Sequence, residues 1–378
     1  MTPTPEGHAR WSREVFLRGR VVRALGKAAW IQLLLVVVFG FVLGETYMRL
    51  PFVGQQLEYE PDREFGGRLA PNQRGFIWLA NMSMQSATIS LNNDGHRGRA
   101  TDWSKPVVLV AGDSEWFGAG VSDTTVWTQV LERELQGRWG LEGLQVVNAS
   151  HPGHGWYHEF VVVRRVLEVR PVQAIVVRVS IAQRSFKAIP PEEQAKRFEQ
   201  AQTRQRIRRV SKFLPFLVNK IDAQAASVRG AFVPHVFRRQ EGGTDWRTAA
   251  AAEAMWAEER TWWEQLIALG TVHKSPILFV VHDVEGTAAT DVLVAHLEEL
   301  ARSHRNIHVS RLGPDRFGLD TGDRETLRRT VHDVLTLGRD PHGNALQHEL
   351  VARAVLADAD EKGLISQLRA SLERSSPR

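Results

Sequence analysis

The sequence predicts an α/β fold with three layers: a parallel sheet of about five strands, helices on both faces, a helical insertion, and one N-terminal transmembrane helix. Three observations predict it. From residue 106 onward, short continuous apolar runs (PVVLVA, LQVVNA, AIVVRVS, PILFVVHDV, NIHVSRL) alternate with longer amphipathic stretches. Strands that read as unbroken Val/Ile/Leu runs are buried on both faces, which requires helices above and below the sheet. A polar, Arg- and Gln-rich block over 186–250 interrupts this rhythm, and a run of apolar residues near the N-terminus stands apart from it.

Bulk properties bound the remaining possibilities. A chain of 378 residues with 43% hydrophobic and 24% charged side chains can bury a sizeable core. The net charge of +5 is small for this length and concentrated near the N-terminus. That distribution gives no basic stripe for nucleic acid. The chain has no cysteine, which excludes disulfides, thiolate nucleophiles and thiolate metal ligands, and is compatible with an oxidising compartment.

The first element is the run AAWIQLLLVVVFGFVLG, with Gln32 its only strongly polar residue. Extended by its flanks, the segment 28–48 approaches the ~20 residues that cross a bilayer. Arg10, Arg13, Arg18, Arg20, Arg23 and Lys27 precede it, whereas Glu45, Glu58, Glu60, Asp62 and Glu64 follow it. The positive-inside rule then leaves a basic tail, 1–27, in the cytoplasm and carries the rest of the chain across the membrane. The run ends LGETYMRL, without the small-residue spacing of a signal-peptidase site, so an uncleaved anchor is expected.

Residues 49–105 read as a small β-rich lead-in, in which 75–79 and 86–91 can pair and Asn93-Asp94-Gly95 forms a turn. The first half of the main domain, 106–185, then runs strand, helix (125–135), strand, helix (157–169), strand. The insertion, 186–250, is expected over the loop edge of the sheet. The second half, 251–378, resumes with helices near 250–269, 293–303 and 345–359, separated by two strands. Ligands of such sheets bind outside the carboxyl ends of the strands. Three loops there carry reactive groups: GDSEWFGAG, NASHPGHG and the segment after VVRVS.

Acyl transfer by serine needs an exposed hydroxyl on a rigid turn, an imidazole to accept its proton, a carboxylate to orient the imidazole, and donors for the oxyanion. Ser114 follows the first strand of the main domain, and Asp340 and His342 lie together in a loop that opens the last predicted helix. On the residues alone, Ser114 also fits a turn capped by Asp113, and His348 competes with His342 as the reactive histidine. His151, His154 and His158 crowd the second loop, but no His-Glu-x-x-His pattern accompanies them, and no metal or other cofactor is expected. Phe117-Gly-Ala-Gly-Val lacks the third glycine and acidic partner of a dinucleotide fingerprint. Trp103, Trp116, Trp156 and Tyr157 lie near the expected crevice, where aromatic rings could stack on sugars. Arg204, Arg206, Arg208, Arg209 and Lys212, followed by FLPFLV, suit either the exposed face of a cap helix or a surface for anionic lipid or glycan.

With these blocks in view, the chain resembles the SGNH/GDSL hydrolases, serine esterases and acyltransferases on a flavodoxin-like α/β/α sheet. AGDSEWFGAGV is similar to their first block, VVNASHPGHG to the second, and DPHGNALQHELVARAV to the last. APNQRG, NNDGHRG and the exit LGETYMRL resemble the membrane-anchored bacterial branch. The resemblance implies Ser114 as nucleophile, His342 as base and Asp340 as its orienter, with oxyanion donors from the amides of Ser114 and Gly153. The third block departs from the pattern: it reads SIAQRS, without the usual Asn, leaving Gln183 as the substitute donor. The spacing of Asp340 and His342 is also shorter than usual, and Gln347 stands where glycine is common. The implied activity is hydrolysis or transfer of acyl groups, O-acetyl esters of envelope polysaccharide being the expected class. Trp116, His151 and Trp156 would contact that substrate. The implied location is the bacterial inner membrane, with the main domain periplasmic and protein partners within an envelope complex allowed. The alternative is a noncatalytic subunit of the same fold, which the missing Asn and the carboxylate of Glu115 beside the nucleophile would suit.

Overall fold

The computed structural model describes residues 29–50, 57–77, 87–180, 191–214, 217, 247–283, 285–319, 322–337 and 342–375. They fall into two compact units. One holds helix α1 (Ala29–Arg49) and the described residues from Arg206 to Leu217. α1 has 21 residues, is long and apolar enough to cross a membrane, and leaves most of its apolar side chains exposed.

The larger unit begins with two antiparallel pairs, β1 (Tyr59–Asp62) with β2 (Gly66–Leu69) and β3 (Gln73–Gly75) with β4 (Ile89–Leu91). The second pairs 73–75 with 89–91, whereas the sequence puts 75–79 opposite 86–91; residues 78–86 lie outside the described residues. The first escapes the alternation rule because Asp62, Glu64 and the two glycines at 66 and 67 interrupt any apolar period. Asp62 closes the turn by accepting from the amides of Glu64 (2.9 Å) and Phe65 (3.1 Å).

The main sheet has β5 (Val107–Ala111), then helices α2 (Ser114–Phe117) and α3 (Trp127–Gly137), β6 (Gln145–Asn148), α4 (Trp156–Leu167) and β7 (Ala174–Val179). After α5 (Pro191–Val210) and α6 (Ala249–Val272) come β8 (Ile277–His282), α7 (Ala288–Arg302) and β9 (Ile307–Leu312). The C-terminal part adds α8 (Arg324–Thr330), α9 (Ala345–Glu361) and α10 (Leu364–Ser375). All five strands are parallel, in the order β6-β5-β7-β8-β9. The α/β class and five-strand sheet therefore stand as the sequence predicts.

Alternate strand residues feed two cores. Leu109, Ile175, Val177, Phe279 and Val281 pack under α4, α6 and α7. Val108, Val110, Val176, Leu278 and Val280 pack under α3, α9 and α10. Each buried Val, Leu or Phe contributes about 1.5–3 kcal/mol, so the double coverage explains why these strands read as unbroken apolar runs. Connections leave β5 toward β6 on one side and reach β7 on the other, which makes the carboxyl ends of β5 and β7 the topological switch point.

The N-terminal half of α5 packs on the β1–β2 hairpin, where Arg63 lies 6.0 Å from the Phe198 ring. The bare backbone of Gly66 and Gly67 gives the helix room there, meeting Arg197 and Ala201.

Candidate active site

β5 delivers Asp113 and Ser114 to the switch point. Asp113 is the N-cap of α2, its carboxylate accepting from the amides of Glu115 (3.1 Å) and Trp116 (3.5 Å). The capped turn and the nucleophile's position are thus one structure, not alternatives: Ser114 is the first residue after the cap. Its Oγ lies 2.8 Å from Nε2 of His342, a residue 228 positions away, and this is the geometry in which the hydroxyl donates to a neutral imidazole.

The loop bearing His342 is tied down at both ends. Thr336 and Gly343 form a β-bridge, and the Leu337 amide donates to the His342 carbonyl (3.0 Å). Asn344 caps α9 by accepting from the Gln347 amide (3.1 Å), while its Nδ2 donates to the carbonyls of Val334 (2.7 Å) and Thr336 (3.1 Å). The loop after Ser114 meets this one closely: a Cβ on Gly120 would collide with the Leu337 side chain.

Charge beside Ser114 is partly compensated. Buried Arg178, on β7, forks between the carboxylates of Asp113 and Glu115. Burial pushes the Glu115 carboxyl up, but the charge of Arg178 outweighs burial and holds it at about 2. Glu115 also accepts from Nε2 of Gln347 (3.4 Å), joining the nucleophile turn to α9. A second arginine, Arg97, enters from the lead-in and donates to the carbonyls of Phe117 (2.6 Å), Gly118 and Val121. Burial lowers its pKa to about 10, against the opposing charge of Asp123. Neither arginine is apparent from the sequence. Arg178 hides in an apolar run and Arg97 in a turn, and only the fold shows the carbonyls and carboxylates they meet.

His348 and His342 are separated by structure. His348 Nδ1 accepts from the Trp127 amide (3.3 Å), satisfying the first turn of α3, whose own N-cap Val126 supplies no side-chain acceptor. Burial lowers its pKa to about 3. Only His342 of the two faces Ser114.

The expected substrate contacts need correction. Trp116 is 1% exposed and packs edge-on against Trp127 at 4.4 Å, and Trp156 is 3% exposed against Trp263 at 4.6 Å. Both rings belong to the two cores and offer no face to a sugar. His151 is buried as well. Its Nε2 accepts from the Leu69 amide (3.0 Å) and its Nδ1 donates to the Pro152 carbonyl (2.8 Å), so it fastens the β1–β2 hairpin to the second loop. The ring stacks on His154 (4.1 Å between centroids), which stacks in turn on His158 (5.0 Å). Burial, reinforced by their mutual proximity, lowers His151 to about 4 and His154 well below its ordinary value, and burial lowers His158 to about 4. A stack of neutral imidazoles packs as aromatic rings. Among the described residues, no group of three or more His, Asp or Glu side chains is arranged to hold a metal ion.

Gly153 lies exposed in the second loop. Neither its amide nor that of Ser114 donates to a protein acceptor among the described residues. Gln183 and Asp340 fall outside the described residues. A cavity of about 310 Å³ opens elsewhere, beside α4, lined by Phe65, Arg68, His96, Trp103, His154 and Arg165 among others. Ser114 and His342 are not part of it.

No family model matches the sequence, and no curated protein matches it. Among solved structures, the chain is similar to the psychrotrophic esterase EstA from Pseudoalteromonas sp., at 10% identity over 68% of this chain and 97% of that one, with a TM-score of 0.38. It is similar to a catalytic variant of the acetylxylan esterase Axe2 from Geobacillus stearothermophilus, at 13% identity over 67% and 93% of the two chains, with a TM-score of 0.38. A salicylyl-acyltransferase from a tetracycline biosynthetic pathway is similar at 16% identity over 74% and 61%, with a TM-score of 0.34.

Proposed function

We propose that this chain is a membrane-anchored serine esterase or acyltransferase of the SGNH type, acting on acyl esters outside the cytoplasm. The observation that carries the reading is the 2.8 Å contact between Ser114 Oγ and His342 Nε2, made by two loops that the fold brings together from opposite ends of the main domain. In this mechanism Ser114 attacks the acyl carbonyl as His342 takes its proton. The imidazolium then protonates the departing alkoxide, leaving an acyl-serine. Water or an acceptor hydroxyl, deprotonated by the same histidine, completes the cycle. Asp340 would orient the imidazole, and the amides of Ser114 and Gly153, with the Gln183 side chain, would hold the oxyanion. Pairing with Arg178 weakens the objection that Glu115 would repel that oxyanion, because the guanidinium lies between the Glu115 and Asp113 carboxylates and offsets one of the two charges. The substrate class follows from the resemblance of the three sequence blocks and from a domain placed beyond the membrane. It is an O-acetylated envelope glycan, reached by a protein fixed in the inner membrane through α1 with the main domain in the periplasm.

A fluorophosphonate probe tests the chemistry directly. The folded protein should label, and both Ser114→Ala and His342→Ala should abolish labelling while circular dichroism stays unchanged. A folded wild type that does not label would reject the catalytic reading and favour a binding or assembly subunit.

A further inference from the structure

The unit that contains α1 holds a second element against the end of that helix. Glu45 accepts from Ser211 Oγ (2.7 Å) and from the amides of Phe213 (3.0 Å) and Lys212 (3.1 Å). Arg49 donates to the Val210 carbonyl (3.4 Å). The Phe213 ring meets Phe41 edge-on at 5.7 Å, and Gly44 makes this approach possible, because a Cβ there would come within 2.5 Å of the ring. A glutamate in an otherwise apolar helix is thereby spent on the first amides of a following turn. At 1.5 Å per residue, Phe41 lies ~12 Å along the helix from Arg49. Anything fixed to this stretch lies at headgroup depth if α1 spans a bilayer.

The attached segment has the composition that such a position requires. Val210 is 80% exposed, and Ile207, Leu214 and Leu217 are exposed beside it. Arg206, Arg208, Arg209 and Lys212 are interleaved with them, and no acidic residue occurs between Glu199 and Asp222. Exposed apolar side chains among long cationic ones match the interface of an anionic bilayer, where the former enter the acyl boundary and the latter reach phosphates.

We infer that residues Arg206 to Leu217 dock on the membrane surface at the exit of α1, with their cations on anionic lipid headgroups. The inference rests on the reading that α1 spans the membrane. It gives the chain a second membrane contact, made by a segment more than 150 residues after the span.

The absence of cysteine allows a direct test. Leu34→Cys, Val210→Cys, Leu214→Cys and Val272→Cys variants of the full chain are labelled singly with an environment-sensitive fluorophore. Each is reconstituted into vesicles of phosphatidylcholine with or without phosphatidylglycerol, and carrying quenchers at defined lipid depths. The inference expects the probe at 34 to be quenched deep in the bilayer, those at 210 and 214 to be quenched by headgroup-proximal quenchers, and that at 272 to stay unquenched. Removing phosphatidylglycerol should release the segment. Combined R206Q, R208Q and R209Q substitutions should shift the docked equilibrium by about 100-fold, roughly fivefold per cation. Quenching at 34 without quenching at 210 and 214 would overturn the inference and leave the anchor intact. No quenching at 34 would overturn the anchor, and the inference with it. The lipid comparison uses the unaltered cationic segment, so the outcome does not depend on the triple variant folding.

Discussion

Arg178 sits 5% exposed on β7 between two carboxylates that flank the nucleophile. Truncating it leaves Asp113 and Glu115 buried without their counter-charge, and uncompensated buried charge is among the costliest defects a protein can carry. Arg178→Met should therefore lower the unfolding free energy by about 3–5 kcal/mol, read from urea denaturation. Its loss of fluorophosphonate labelling should exceed that fraction unfolded, because Asp113 is also the cap that sets the Ser114 turn. Arg97 acts on the other side of the same turn through three carbonyls. The nucleophile is thus held by two guanidinium groups that never contact the reacting atoms.

At the scale of elements, the histidine stack at the start of α4 makes stability depend on acidity. His151 and His158 are neutral in the fold until the pH approaches about 4, whereas in the unfolded chain they titrate near 6.5. Between those values the unfolded chain binds more protons, so the stabilisation present above pH 6.5 is lost as pH falls toward 4. Replacing the middle ring, His154→Phe, should flatten the dependence of the urea midpoint on pH across that window, while preserving the stacked packing. The two loops of the catalytic pair give a second element-scale test. Gly120→Ala should impair labelling by pushing on Leu337, and Leu337→Ala in the same chain should restore it, since the nearest atoms a Cβ there would meet belong to that side chain.

The elements differ in how well their sequences announce them. The five strands and the helices between them were legible because both faces of each strand are apolar and each helix presents a stripe. The hairpin β1–β2 was not, because its residues are charged or glycine and its order comes from Arg165 bonding Asp62 and Glu64 across a hundred positions. Ser114 and His342 could be singled out from their loops because serine acyl transfer requires those residue types, and the structure brings the two side chains within 2.8 Å. The roles of Trp116, Trp156 and His151 could not, since a tryptophan near a crevice and one beneath it look alike in sequence. Only packing assigns the ring to the core.

For the whole molecule, the orientation proposed from the basic tail and the acidic flank after α1 can be measured. Val272 is 76% exposed on the surface of the larger unit. In intact bacterial cells with a permeable outer membrane, a Val272→Cys variant should react with a membrane-impermeant maleimide. Lysis should add no further labelling. Protection until lysis would reverse the assigned orientation, and release of the protein by carbonate washing would deny the anchor itself.

The chain order of the sheet has one more consequence. Ser114 precedes the long insertion and His342 follows it, while β7 and β8, central neighbours paired from Ile175↔Ile277 to Val179↔Val281, come from opposite sides of the same insertion. A polypeptide cut within 218–246 would therefore yield two pieces, one carrying the nucleophile with three strands and the other carrying the base with two. On the proposed mechanism neither piece would react alone, and their reunion would rebuild the middle of the sheet. If the proposed chemistry holds, probe labelling after coexpression of the two pieces should report that reassembly, and labelling of either piece alone should be absent.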